Sequence, residues 1–142
     1  MKSLLFVNDE PKVLQGLQRQ LHGMRNDWSM NFIHGGKAAL EFISTHPLDV
    51  IVTDMIMPGV DGAELLTQVM KRHPNAVRIV LSGHADRESV LRLVGPAHQY
   101  LSKPCDSEEL RSAISRAFAL RELLENEPLK ELAARTRSLS AA

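Results

Sequence analysis

Five polar side chains stand where short apolar runs of this sequence end. They are Asn8, Asp9, Asp54, Ser82 and Lys103. Carboxylates are hard oxygen ligands suited to a Mg²⁺ ion that keeps several of its waters. A carboxylate can also attack a phosphoryl donor as a covalent nucleophile, and an amine can pair first with that carboxylate and then with the phosphoryl oxygens. The set therefore predicts a site where Asp54 takes up a phosphoryl group beside Mg²⁺, with Asp9 as the second metal ligand.

The segments that carry these residues alternate between strand and helix patterns. Short apolar runs predict five strands, at Leu4–Val7, Trp28–Ile33, Val50–Thr53, Val77–Leu81 and Gln99–Leu101. Apolar residues at helical spacing predict five helices, from Pro11 to Met24, Ala38 to Ser44, Ala63 to Arg72 with Leu65, Leu66, Val69 and Met70 inward, Asp86 to about Val94, and Asp106 to Leu124. This alternation predicts an α/β fold with a parallel sheet covered on both faces. In such sheets the ligand site lies outside the carboxyl ends of the strands, where the five polar residues would meet.

Composition limits the remaining classes of function. The chain of 142 residues suits one domain of ordinary size. Its 17 basic and 17 acidic residues cancel, so the charge balance indicates neither a nucleic-acid nor a membrane partner. Cys105 is the single cysteine, which excludes an intramolecular disulfide. A cytoplasmic location is expected, and the run Arg116 to Arg121 is interpreted as a solvated helix face rather than a nucleic-acid surface.

Four short motifs occur in an order that resembles the receiver domain of bacterial two-component response regulators. They are Val7–Pro11, Asp54–Gly62, Leu81–Ala85 and Lys103–Pro104, and the resemblance covers residues 3 to 123. It implies a doubly wound, flavodoxin-like sheet of five strands in the order 2-1-3-4-5. It also implies phosphoryl transfer to Asp54 from the phosphohistidine of a sensor histidine kinase or phosphotransfer protein. A receiver of this kind is a signalling domain with Mg²⁺-dependent self-phosphorylation and dephosphorylation chemistry, not an enzyme.

The same resemblance assigns further roles in the metal shell. The backbone carbonyl of Ile56 would join Asp9 and Asp54 around Mg²⁺. Asn8 would hold a metal-bound water, and Glu10 would support the outer shell.

A second group of residues would report phosphorylation. Ser82, Lys103 and the aromatic residue Tyr100 would sense the phosphoryl group. They would relay the resulting structural change to the face built by the fourth predicted helix, the fifth strand and the fifth predicted helix. Such a face is a two-state element that a local charge change biases.

Two departures from the family pattern bear on the phosphoryl chemistry. Asn8 stands where the family usually has a second acid, so weaker Mg²⁺ binding than in a two-acid site is expected. Ile56 lies two residues after Asp54 and is apolar, so it cannot orient a hydrolytic water. A long-lived phosphorylated state is therefore expected.

Two other functions remain open on the sequence. One is a hydrolase that works through an aspartyl-phosphate, but such enzymes typically carry a second acid at the position of Ile56. The other is a docking module that works without phosphorylation, which Asn8 favours and which the intact Asp54, Ser82 and Lys103 oppose.

The end of the chain extends past the predicted receiver domain of residues 1–124. Residues 125–142 are interpreted as a linker helix or tail toward a covalently linked output domain, or as a dimerisation segment that would make the protein a homodimer. The stretch Pro74–Tyr100, including Arg78–Asp86, resembles receivers that precede HD-type or HDOD output domains, so an output of that kind is expected.

Overall fold

The computed structural model describes residues 2–55, 57–82, 99–102 and 106–125. Its sheet has five parallel strands: β1 (Lys2–Asn8), β2 (Trp28–His34), β3 (Val50–Asp54), β4 (Val77–Ser82) and β5 (Gln99–Ser102). Their order is β2-β1-β3-β4-β5, which confirms the expected doubly wound topology. Each strand begins within two residues of its predicted start, because a strand buried on both faces leaves a continuous apolar run in the sequence.

The described helices are α1 (Pro11–Gln20), α2 (Gly36–Thr45), α3 (Gly62–Arg72) and α4 (Ser107–Glu125), with a 3₁₀ turn at His22–Met24. The prediction of one helix from Pro11 to Met24 was wrong. Leu21 ends α1 and is fully buried, and Gly23, with its low helix propensity, falls in the separate 3₁₀ turn. The helix predicted from Asp86 to Val94 and most of the predicted tail lie outside the described residues. None of the helices that the structure describes is long and apolar enough to cross a membrane.

Side chains that alternate along the strands build two cores, one on each face of the sheet. In β1, Leu4 and Phe6 join the core under α1 and α4, while Leu5 and Val7 join the core under α2 and α3. The predicted inward stripe of α3 is confirmed for its three other members, but Met70, in the last turn, is 36% exposed.

A buried arginine interrupts the apolar run of β4. Arg78 is 5% exposed, and its Nη1 donates to the carbonyl oxygen of Ala76 at 3.3 Å. Burial lowers the pKa of the Arg78 guanidinium, since desolvation disfavours the charged form. A guanidinium nevertheless stays protonated in proteins, so a buried cation lies near the amino-terminal end of β4.

Asp49 joins three elements at the amino-terminal edge of the sheet, opposite the strand ends that carry Asp54. Its Oδ2 accepts from the Ser3 N–H at 2.8 Å, its carbonyl accepts from the Val77 N–H at 2.9 Å, and its Oδ1 lies 3.5 Å from Nε of Arg121 in α4. The prediction that the run ending at Arg121 is a solvated face was therefore wrong at this residue, whose side chain is 17% exposed.

Asp49→Ala is expected to lower the free energy of unfolding by about 1–3 kcal/mol, because it removes the hydrogen bond from the Ser3 N–H to the charged carboxylate and the ion pair of that carboxylate with Arg121. Urea unfolding measures the change. Asp27→Ala, at an exposed position of the same edge, is the matched control and is expected to shift stability by no more than about 0.5 kcal/mol. Equal losses of stability in Asp49→Ala and Asp27→Ala would contradict the idea that the Asp49 side chain stabilises the fold by joining these elements.

Candidate functional site

The carboxyl ends of the strands bring the predicted site positions to one edge of the sheet. β1 ends at Asn8, β3 ends at Asp54 and β4 ends at Ser82. β1 and β3 are paired as far as Val7 and Thr53, so the next residues along these strands are Asn8 and Asp54. The predicted convergence at this edge holds for the backbone of these positions, and Asp9 follows β1 directly.

Asp54 is a buried carboxylate with a fixed orientation. It is 7% exposed, and its Oδ1 accepts from the backbone N–H of Met55 at 2.9 Å. The hydroxyl of Thr53 donates to the Asp54 carbonyl at 3.0 Å. A buried carboxylate is costly unless partners or bound cations compensate its desolvation, so the position needs a functional explanation.

The loop after β3 folds back onto the backbone of Asp54. The N–H of Gly62 donates to the carbonyl of Met55 at 2.8 Å, and a Cβ at Gly62 would lie 2.5 Å from the Asp54 carbonyl oxygen. Asp61 caps α3, since its Oδ1 accepts from the N–H of Glu64 at 2.9 Å. Gly62 is therefore needed for space against the acceptor residue, which the sequence alone does not show.

The turn from β1 to α1 is fixed by backbone and side-chain hydrogen bonds. Asn8 is 2% exposed, and its Oδ1, predicted to hold a metal-bound water, accepts from the N–H of Glu10 at 2.9 Å. The Asn8 carbonyl accepts from the N–H of Gly35 at 2.9 Å. Glu10 itself is exposed and caps α1 through its carbonyl, while Asp9 between them is half-buried.

The remaining predicted residues are only partly covered by the structure. Ile56 and Lys103 lie outside the described residues. Tyr100 lies in β5, where its backbone is paired with Val80, and Ser82 is paired with Ser102. The structure therefore gives the backbone positions of Tyr100 in β5 and of Ser82 in β4.

The donor set at the strand ends fits magnesium. In the described part of the chain, no three His, Cys, Asp or Glu side chains come together as a metal-binding group. A cation held by Asp9 and Asp54 would take its other ligands from backbone oxygens and water. Mg²⁺ prefers this arrangement, since it gives up its waters reluctantly and is usually bound by one or two carboxylates.

Comparison with known proteins decides the family. The model of the response regulator receiver domain matches residues 4–115. The chain belongs to this family. Receiver domains are signalling modules that partner a histidine kinase and bind Mg²⁺ at their phosphorylation site, and they are not classical enzymes.

Relatives of this receiver domain occur within longer regulators. It is 32% identical over 115 residues to the DNA-binding transcriptional regulator NtrC of Klebsiella pneumoniae, a match that covers 80% of this chain and 24% of NtrC. The chain thus spans about a quarter of the length of that relative.

Its fold is shared by solved structures such as the following two. The receiver domain of an HD domain-containing protein from Pseudomonas fluorescens is 26% identical, with a TM-score of 0.79 over 85% of this chain and 97% of that one. The response regulator TrrA of Thermotoga maritima, solved in complex with Mg²⁺-BeF, is 26% identical, with a TM-score of 0.72 over 82% of this chain and 99% of that one.

Proposed function

We propose that Asp54 accepts a phosphoryl group from the phosphohistidine of a sensor histidine kinase or phosphotransfer protein. The observation that carries this proposal is the carboxylate of Asp54. It is buried at the carboxyl end of β3, oriented by the Met55 N–H, and next to the strand end that carries Asn8 and Asp9. A rigid strand holds this nucleophile within a fixed geometry, which favours an in-line transfer.

The transfer breaks one bond and forms one bond. A carboxylate oxygen of Asp54 attacks phosphorus, the new O–P bond forms, and the N–P bond to the imidazole breaks. The leaving imidazole keeps the electron pair and takes a proton from solvent, while Asp54 becomes an acyl phosphate.

Asp9 and Asp54, the carbonyl of Ile56, and Asn8 through a water would hold Mg²⁺. When bound, the metal neutralises charge on the transferring phosphoryl oxygens. Lys103 would pair with the same oxygens as a point charge.

The phosphorylated domain would act on an output. Ser82 ends β4 and Tyr100 lies in β5, and Lys103 follows β5 in the sequence. A change at the phosphoryl group would therefore pass toward β5 and α4. We propose that residues 125–142 connect this face to a covalently linked output domain, or that the face pairs with a second copy of the chain.

Incubation of the 142-residue chain with acetyl phosphate and Mg²⁺ tests the proposal. Intact-mass spectrometry is expected to show the gain of one phosphoryl group, and borohydride reduction of the acyl phosphate is expected to map it to Asp54. Removal of the metal with EDTA is expected to suppress the gain. Failure of the wild-type protein to gain mass in the presence of both acetyl phosphate and Mg²⁺ would favour the docking module that works without phosphorylation.

A further inference from the structure

We propose that His34 is a positioning residue for the metal site, because it holds the backbone of Asp9. His34 is the last residue of β2 and is paired with Asn8 in the parallel register. Its Nε2 lies 2.6 Å from the carbonyl oxygen of Asp9. A carbonyl oxygen only accepts, so Nε2 is the donor in this contact. The inference rests on the proposed function in one respect, which is the assignment of Asp9 as a Mg²⁺ ligand.

The hydrogen bond from His34 adds to two others that hold the turn around Asp9. Residue 8 is held through its carbonyl by Gly35, and residue 10 is held through its N–H by the Asn8 side chain. His34 supplies a hydrogen bond at Asp9 itself, between those two points. Because His34 ends β2 and Gly35 follows it directly, this end of β2 fixes two successive carbonyls of the turn.

Holding this carbonyl matters because it sets the peptide plane from which the Asp9 side chain projects. Mg²⁺ demands near-ideal octahedral geometry, so it tolerates little displacement of a carboxylate ligand. Partners that orient metal ligands typically change metal affinity by about 10- to 100-fold when removed. His34 is exposed, so the same hydrogen bond contributes little to folding. A positioning role therefore predicts an effect on metal affinity that is separate from stability.

Substitutions at His34 test the role through the dissociation constant for Mg²⁺, measured by titration calorimetry on the unphosphorylated chain. His34→Ala is expected to weaken Mg²⁺ binding about 10-fold, at the lower end for such partners. His34→Phe keeps a ring but no donor, so it is expected to behave like His34→Ala. His34→Gln keeps an N–H donor and is expected to restore part of the affinity. Urea midpoints of all three variants are expected to stay close to that of the wild type.

His46→Ala is the matched control. His46 is also exposed and also contacts a backbone carbonyl, with Nδ1 3.1 Å from the Phe42 oxygen, but it follows α2 away from the strand ends. It is expected to leave Mg²⁺ affinity unchanged. Wild-type affinity in both His34→Ala and His34→Phe would overturn the positioning role, as would equal losses in Phe and Gln variants.

Asp9→Ala distinguishes a failure of the proposed His34 role from a failure of the proposed metal site. If Asp9→Ala loses Mg²⁺ binding while the His34 variants keep it, the metal site stands and the role of His34 is rejected. If Asp9→Ala binds Mg²⁺ as the wild type does, Asp9 is not a ligand. The proposed metal site and the role of His34 then both fail.

Discussion

Asp54→Asn is expected to abolish phosphoryl uptake from acetyl phosphate while the domain stays folded. The amide that replaces the carboxylate keeps an oxygen that can accept the Met55 N–H, which Asp54 now accepts at 2.9 Å. An amide has neither the charge nor the nucleophilicity of a carboxylate, so the attack on phosphorus is lost. The measurement is the phosphorylated fraction by intact mass against time, together with the urea midpoint of the same protein.

Asp61→Asn is the matched control for that result. Asp61 lies in the same loop and caps α3 through the N–H of Glu64, and Asn is an equally good helix cap. It is expected to gain the phosphoryl group at the wild-type rate. Undiminished uptake by the Asp54→Asn protein would show that another side chain is the acceptor and would reject the proposed mechanism.

The elements of this fold could be predicted because burial on both faces of a parallel sheet leaves local patterns. Val50–Asp54 is buried throughout, and its apolar run is visible without any tertiary information. Arg121 was misassigned because its partner Asp49 lies just before β3, far away in the sequence. Arg78 was overlooked for a similar reason, since one polar residue in an apolar run does not reveal whether the surrounding core accepts it.

Some residues of the candidate site could likewise be predicted from the sequence, and others could not. Asn8, Asp9 and Asp54 were found because polar residues after apolar runs must gather at the carboxyl edge of a parallel sheet. His34 was missed because its contact with the Asp9 carbonyl depends on the alignment of β2 with β1, which the sequence does not display. The crowding at Gly62 was not predicted, because it depends on how closely the loop approaches Asp54 in the folded chain.

Gly62→Ala is expected to lower the free energy of unfolding by about 1–3 kcal/mol, because the added methyl group overlaps backbone atoms whose displacement costs free energy. The new Cβ would lie 2.5 Å from the Asp54 carbonyl oxygen and 3.0 Å from the Cα of Met55. Relief of that overlap is expected to shift the backbone at Asp54 and Met55, and the Met55 N–H orients the Asp54 carboxylate. Phosphorylation of the folded protein is therefore expected to slow as well, which the acetyl phosphate time course measures beside urea unfolding.

Two other glycines separate crowding from the general effect of adding a methyl group. Gly16 lies inside α1 with nothing within 4 Å of its added Cβ, so Gly16→Ala is expected to stabilise the protein by about 0.5–1 kcal/mol. Gly59 has a φ of +77° and similar open space, so Gly59→Ala strains the backbone of the same loop without a clash. If crowding against Asp54 is the cause, Gly62→Ala alone combines lost stability with slow phosphorylation. A wild-type urea midpoint in Gly62→Ala would show that the loop can move away from Asp54. The close contact of Gly62 with the Asp54 backbone would then not be what holds the Asp54 carboxylate in its orientation.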